Sequence, residues 1–486
     1  MTAALNGAIL IMAAQQTLVV PLLPALGRTF GTGLSATTWS VTAFLLSASV
    51  AAPVLAKIGD AMGRKRAALA ALAVQSAGSA LTAVAPDFGL FLAGRALGGV
   101  GTALFPLCVG LVREHADERR APAGIGMLSA MMGAGAGAGM LVPGLIDEVW
   151  AGPRAAFTGG TLALVSALFF LWLRVPADRP TRMSRRGLDV PGALLLVVTV
   201  LPALLGISQA DRWGWGHPAT ITLLSAALVA GALWTRWELR ASAPLVDLRI
   251  VARGIPRNAN VIAVLLGFGM FAYFTVISTY AQAAPSGGYG MGASPLRVGL
   301  LLLPSGVAMV ALAPLSARLS ASVGAAVTCA LGSGLVAAAF WWLAARPGDA
   351  PTLWTSSVLF GAGMGIGYAA LSALAVHHVP PDQTSVVTGV NGLMRTLGGS
   401  VSGAVTSLVL VGGGHTAAGA PSGHSYRLVF LLLGTACTSA ALLAVYTHIR
   451  SFRPSRIPPL PPAARATSGS EASTAGRTRR PRERAQ

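Results

Sequence analysis

The chain has 486 residues, of which 54% are hydrophobic and only 10% charged, with a mean hydropathy of +0.67. Soluble domains carry about a quarter charged residues, so composition excludes a string of soluble domains and points to an all-α polytopic membrane protein. A net charge of +19 would suit a nucleic acid, but the basic residues cluster between apolar runs, where they orient a membrane chain, and no nucleic-acid partner is expected.

Taken in order, membrane-crossing helices are expected at 4–26, 37–55, 67–85, 88–112, 122–146, 155–173, 189–207, 218–236, 259–282, 298–316, 323–344, 353–376, 384–411 and 428–449. Most of the 35 Lys and Arg then fall on one side. Arg28, Arg154, Arg212, Arg297, Arg346 and Arg427 fall on the other, and Arg95 and Arg395 lie within spans. The positive-inside rule makes the basic side cytoplasmic, with both termini there. Tryptophans such as Trp150, Trp172, Trp213 and Trp354 mark span ends, as an interfacial belt does. The first run lacks a basic leader and continues as a span, so no cleavable signal peptide is expected.

Basic stretches at 174–188 and 236–257 divide the spans as 6 + 2 + 6. The expected organisation is an N-terminal six-helix bundle (1–174), a linker with two extra helices (175–257), a C-terminal six-helix bundle (258–449) and a disordered basic cytoplasmic tail (450–486). Cys108, Cys329 and Cys437 stand in separate spans without ligand-like spacing, so neither disulfides nor a metal site is expected.

The turn between the second and third spans reads Ala56-Lys57-Ile58-Gly59-Asp60-Ala61-Met62-Gly63-Arg64-Lys65-Arg66. Gly63 supplies a residue that tolerates positive φ, and Arg64, Lys65 and Arg66 supply cytoplasmic charge. Asp60 is an acid at the membrane edge, a place that calls for a partner or a role. This spacing resembles the loop signature of the major facilitator superfamily, GxLaDRxGRRx, with Ala56 and Ile58 in place of its first Gly and its Leu. Residues 317–324 form a weaker copy without the Asp, a trace of the half-to-half repeat that alternating access uses.

Further stretches extend the resemblance over residues 10–450. Arg95 to Gly101 is similar to the RxxQGxG motif, with Gly98 for Gln; a guanidinium inside an apolar helix must face a cavity or a partner. The fifth span is similar to the GxxxGPxxGG antiporter motif through Gly135, Gly139 and Gly144, with Pro143 displaced by three residues from the Pro of the pattern. Arg395, Leu397, Gly398 and Gly399 resemble the RQLGG of NxxRQLGG, with Asn391 one residue further from the Arg than in the pattern, and Pro244 to Arg249 resembles PLxDLR. In the first span Thr17, Leu23 and Pro24 fit the LDxTIVNVALP pattern of fourteen-span drug/proton antiporters, but Gln15 stands where its Asp belongs, and an amide cannot titrate. None of the 16 acids lies deep in an expected span; Asp60, Asp147, Glu148 and Asp189 are all at edges.

The resemblance implies a secondary transporter of the drug/proton antiporter branch in the cell membrane, specifically a bacterial inner membrane. It would be a monomer that exports a hydrophobic or amphipathic drug or antibiotic, driven by a proton gradient and without a cofactor. Asp60, Gly63, Arg64 and Arg66 would form a cytoplasmic latch. Gln15, Gln16, Arg95 and Arg395 would serve coupling or the cavity, and the helix with Gly135, Gly139, Pro143 and Gly144 would link the cavity to rocking. On the ninth span Tyr273, Ile277 and Tyr280 share one face, which with Asn260, Gln282 and Asn391 makes a candidate substrate pocket, although aromatic packing explains the stripe equally well. His377-His378 at the end of the twelfth span reads as an interfacial loop pair rather than a pH sensor. No P-loop and no HExxH or GxSxG motif in useful context is present, so neither ATP-driven pumping nor an enzyme is expected. Two rivals remain open: a uniporter or exchanger of an organic anion, favoured by the two uncompensated intramembrane arginines, and a non-transporting scaffold or receptor that has lost its coupling residues.

Overall fold

The computed structural model describes residues 1–451 apart from 33–36, 38, 117–120, 150–151, 178–188, 242–243, 247, 253, 286–288, 347, 378, 380–383 and 413–420. His378, residues 452–486 of the basic tail and most of the 174–188 stretch therefore lie outside the described residues. Among the described residues the regular structure is helical. The first eight helices are α1 (Thr2–Thr17), α2 (Leu23–Phe30), α3 (Trp39–Met62), α4 (Arg64–Val84), α5 (Phe88–Gly99), α6 (Leu104–His115), α7 (Ala121–Val149) and α8 (Pro153–Arg174). Then follow α9 (Val190–Trp213), α10 (Pro218–Arg240) and the single turn α11 (Leu248–Val251). The remainder are α12 (Gly254–Gln282), α13 (Pro295–Val323), α14 (Ala325–Ala345), α15 (Ala350–Ala375), α16 (Thr384–Gly412) and α17 (Gly423–Ser451).

Thirteen helical runs among the described residues are long and apolar enough to cross a membrane. The remaining expected span, the first, is broken. It is continuous in the sequence reading, but residues 18–22 form turns between α1 and α2. Pro21 has no amide hydrogen, and its ring would meet the carbonyl of residue 17 in a continuous helix. Tighter bonds replace the helical ladder there, Val20 N to Thr17 O at 3.0 Å and Leu22 N to Val19 O at 3.1 Å. The fourth span is also interrupted: a 3₁₀ turn at Val100–Ala103 separates α5 from α6. Pro106 cannot donate to the carbonyl four residues back, and Gly98, Gly99 and Gly101 hold the helix there only weakly.

Helices α1, α7 and α8 pack together, as do α3, α4 and α5; α4 on α8 joins the two sets. In the second half α12 packs on α16 and α17, and α13, α14 and α15 form a neighbouring layer. Two long seams join the halves, α7 on α13 and α3 on α16. The α9–α10 hairpin lies outside both: α9 covers the α3–α16 seam through Leu196, Val200 and Leu204 against Val386, Val387 and Val390. Helix α10 is largely exposed, with Leu228 at 78%.

Apolar burial does not drive association between helices in lipid, so packing depends on small residues that let backbones approach. Helix α7 has them on two faces. A Cβ on Gly135 or Gly139 would lie 2.1 Å from the carbonyl oxygen of Leu10 or Ala14 on α1. Its other face presents Gly137 to Gly306 of α13 across the seam. Thr17 Oγ1 donates to Ala136 O at 2.7 Å and fixes the α1–α7 register.

Candidate functional site

A cavity lies between the halves, lined from every side of both seams. Helix α1 contributes Gln16 and Thr17, α3 Phe44 and Leu45, α6 Phe105, and α7 Met132 and Met140. From the second half come Met270, Phe271 and Phe274 of α12, Met309 of α13, Phe360, Met364 and Tyr368 of α15, and Thr388, Arg395 and Thr396 of α16. About 130 Å³ of it is open to the centres of water-sized molecules, small beside a drug-sized site. Aromatic rings and flexible thioethers make its wall apolar yet adaptable. Arg395 is the charged residue on this wall, and no acid joins it among the described lining residues.

Between the cavity and the basic turns the two halves are in contact. Phe105 and Tyr368 meet edge to face with ring centroids 5.8 Å apart, and Arg113 Nη1 donates to Thr384 Oγ1 at 3.0 Å. Both contacts join α6 to the second half.

Arg395 is held from behind. Its guanidinium carbon sits 4.4 Å from the Tyr368 ring centroid, and Nη1 donates to Asn391 Oδ1 at 3.3 Å. Asn391 Nδ2 donates to Asn260 Oδ1 at 3.1 Å, and Asn260 Nδ2 to Val251 O at 3.3 Å. A relay of amides thus runs from the cavity to the chain ahead of α12.

The basic turn is a built structure. Gly63 adopts φ +116° and caps α4. Arg64 Nε donates to Asp60 Oδ1 at 2.8 Å, and its Nη1 reaches Gly110 O at 3.2 Å and Glu114 Oε2 at 3.4 Å on α6. Lys65 donates to Trp172 O and Val175 O, satisfying carbonyls at the end of α8 where a cation is favoured. Arg66 is exposed. The Asp60–Arg64–Glu114 group therefore ties α3, α4 and α6 within the first half.

Arg95 and Arg395, paired in the sequence reading, occupy different places. Arg95 does not line the cavity; it is buried inside the first half, where Nε donates to Ser40 O and Nη1 to Gln15 O, each at 3.1 Å. Gln15 faces it, while its neighbour Gln16 faces the cavity. Pro143 is buried in α7 and Gly144 is on the same helix; the side chains of Asp147 and Glu148 there lie outside the described set.

The substrate-pocket candidates need correction: none of Asn260, Tyr273, Tyr280, Gln282 and Asn391 lines the cavity. Tyr273 is fully buried, stacked on Phe360 at 3.9 Å, with its hydroxyl 3.1 Å from Ser356 Oγ. Tyr280 packs with Tyr289, Tyr426 and Phe430. Gln282 donates to Ser278 on its own helix. The aromatic stripe holds the second half together, and the adjoining side of α12, with Met270, Phe271 and Phe274, meets the cavity. Periodicity grouped the residues of one face correctly; which face turns inward depends on the neighbours of α12.

Sequence reasoning also missed a buried acidic pair at the hairpin. Asp189 and Glu238 are 8% and 3% exposed. Asp189 accepts from Gly192 N, Leu245 N and Trp237 Nε1, at 2.9, 3.2 and 2.9 Å. Glu238 accepts from Val246 N, and Lys57 donates to Pro244 O at 2.8 Å. Together they clamp the segment after α10 onto the end of α3. The signal available was an acid at each end of the hairpin, beside Pro244-Leu245-Val246.

Two seamed halves of long apolar helices around a central cavity, with a charged turn at one end, define a multi-pass membrane transporter. The model of the Major Facilitator Superfamily matches residues 5–403, and the chain belongs to that family. It is 27% identical over 411 residues to the tetracenomycin C resistance and export protein of Streptomyces glaucescens, covering 83% of this chain and 74% of that one. It is also 27% identical to the puromycin resistance protein pur8 of Streptomyces alboniger, covering 84% and 82%. The fold matches the crystal structure of the human organic anion transporter MFSD10 at a TM-score of 0.64 and 17% identity, covering 92% and 98%. It matches a bacterial homologue of the human drug peptide transporters PepT1 and PepT2 at 0.60 and 15%, covering 93% and 98%.

Proposed function

We propose that the chain exports a hydrophobic or amphipathic antibiotic-like compound across a bacterial cell membrane by alternating access, with a proton gradient as its energy source. The carrying observation is the central cavity, whose wall of methionines and aromatic rings suits an apolar, aromatic cargo. Similarity to resistance and export proteins supports the same reading. The bundles 1–174 and 258–449 would rock about the α7–α13 seam, where Gly137 meets Gly306. Asp60, Arg64 and Glu114 would stiffen the cytoplasmic ends of α3, α4 and α6 so that they move as one body against α16. The basic tail and both termini would face the cytoplasm, and the chain would work as a monomer without a cofactor.

A second reading, an organic anion as cargo, is favoured by one observation: Arg395 on the cavity wall faces no acid among the described lining residues. Both readings are tested by efflux of a fluorescent lipophilic dye from proteoliposomes, with and without an imposed pH gradient, in wild type and Asp60→Asn. Gradient-driven efflux, reduced by the substitution, is the expected result. Dye movement indifferent to the gradient would overturn proton coupling. Absence of dye movement together with uptake of an anionic dye would transfer the function to the second reading.

A further inference from the structure

Inside the first half, on the other side of Phe44 from the central cavity, lies a small chamber lined by Gln15, Gln75, Ser79, Thr82, Arg95 and their apolar neighbours. About 10 Å³ of it is open to the centre of a water-sized particle, which is room for about one such particle.

Three of its polar side chains are almost completely buried: Gln75 at 1%, Arg95 at 3% and Gln15 at 4% exposed. Each has hydrogen-bonding capacity that the protein leaves unmet, namely Arg95 Nη2, Gln15 Nε2 and both amide atoms of Gln75. Arg95 binds only the neutral carbonyls of Ser40 and Gln15 and lies over the Phe44 ring at 4.6 Å. Among the described residues no carboxylate forms an ion pair with it. The room for the amides is itself built. A Cβ at Gly101 would lie 2.0 Å from Gln75 Oε1, and one at Gly160 would lie 2.1 Å from Gln15 Nε2.

A buried guanidinium without an opposite charge is among the costliest arrangements a membrane helix can hold. Neutral acceptors satisfy its N–H groups but leave the charge uncompensated. Three of the four unmet atoms are donors, and the Gln75 amide can turn to choose which of its two atoms faces the space. Donors converging on a cation, in a space for one particle, are the chemistry of an anion site. The small free volume favours a monatomic anion over sulfate or a carboxylate. We propose that this chamber binds one halide ion, chloride under physiological conditions, held by Arg95, Gln15 and Gln75. The ion neutralises Arg95 and bridges α1, α4 and α5. It is separate from the cavity that contains Arg395.

The test uses the purified full-length chain in nanodiscs. Thermal unfolding is followed in sodium chloride or bromide against sodium gluconate, at constant ionic strength and pH. The expected result is a saturable rise in midpoint with either halide, by the linkage between ligand binding and stability. Gln75→Glu supplies an internal carboxylate of nearly the same shape; it is expected to abolish the halide response and to match the halide-bound wild type in gluconate. Arg395→Gln is expected to keep the response. Retention of radioactive chloride by the wild type, displaced by bromide and approaching one ion per chain, gives a readout that needs no variant. A wild-type midpoint that ignores halide, chloride that is not retained, or a full halide response in Gln75→Glu would each overturn the proposal and assign the chamber to a water. None of these readouts depends on cargo or on a proton gradient, so the site and the transport reading fail separately.

Discussion

Phe105 on α6 and Tyr368 on α15 meet edge to face, 5.8 Å between centroids, and the Tyr368 ring also carries the guanidinium of Arg395 at 4.4 Å. One residue therefore joins the closure of the cavity to its charged wall. An aromatic pair adds about 0.5–1.5 kcal/mol beyond its burial, and a cation–π contact a similar amount. Tyr368→Ala removes both. Labelling of Thr388→Cys by an impermeant thiol reagent from the basic-turn side is expected to rise several-fold in that background, while the native cysteines remain buried. Unchanged labelling would show that the pair does not hold the closure.

Arg395 faces the cavity and Arg95 does not, so only the former is expected to select cargo by charge. A hydrogen bond to a charged group contributes about 1.5–3 kcal/mol, which corresponds to tenfold or more in affinity. Arg395→Gln is expected to weaken transport of anionic compounds by about that factor and to leave neutral ones nearly unchanged. Competition assays in proteoliposomes separate these outcomes.

The two faces of α7 give opposite expectations for one substitution. In Gly139→Ala the new Cβ lies 2.1 Å from Ala14 O, a backbone atom that cannot give way without moving α1. Overpacking of this kind costs about 1–3 kcal/mol. In Gly137→Ala the nearest atom is Gly306 Cα at 3.5 Å, an ordinary contact. A lower thermal midpoint is therefore expected for Gly139→Ala and little change for Gly137→Ala. Equal midpoints would contradict the packing described for α1 and α7.

Asp189 caps α9 and also holds Trp237 and Leu245. Loss of an N-cap alone costs about 1 kcal/mol, and each buried donor left unmet costs about 1–3 kcal/mol. Asp189→Ala is expected to loosen the hairpin from the α3–α16 seam, read as faster hydrogen exchange of the Leu245 and Val246 amides with the exchange of α14 unaffected. Asp189→Asn keeps one acceptor oxygen and is expected to fall between the two.

The order of hydrophobic runs, the basic turn and the glycine-rich fifth span disclosed the fold class and the family. The turn was legible in residue detail, because Gly63 and its charged neighbours act through local geometry: the glycine does adopt φ +116°, and Asp60 does pair with Arg64. The break at residues 18–22 was legible in principle, since Pro21 imposes it locally. The cavity was not. Tyr273 and Tyr280 have the chemistry of a binding wall and serve as packing, while Met270, Phe271 and Phe274 on the adjoining side line the space.

By itself, then, the sequence determined what depends on nearest neighbours along the chain: which segments are apolar enough to cross a membrane, where they turn, and which motifs mark the family. Only the tertiary structure decided which face of each helix meets the cavity, that Arg95 and Arg395 serve separate sites, and that Asp189 and Glu238 are buried together. The physical reason lies in the solvent. When lipid is as apolar as the interior, hydrophobicity no longer marks the inward face, and orientation is set by close contacts between residues far apart in sequence, such as Gly139 with Ala14 and Gly137 with Gly306.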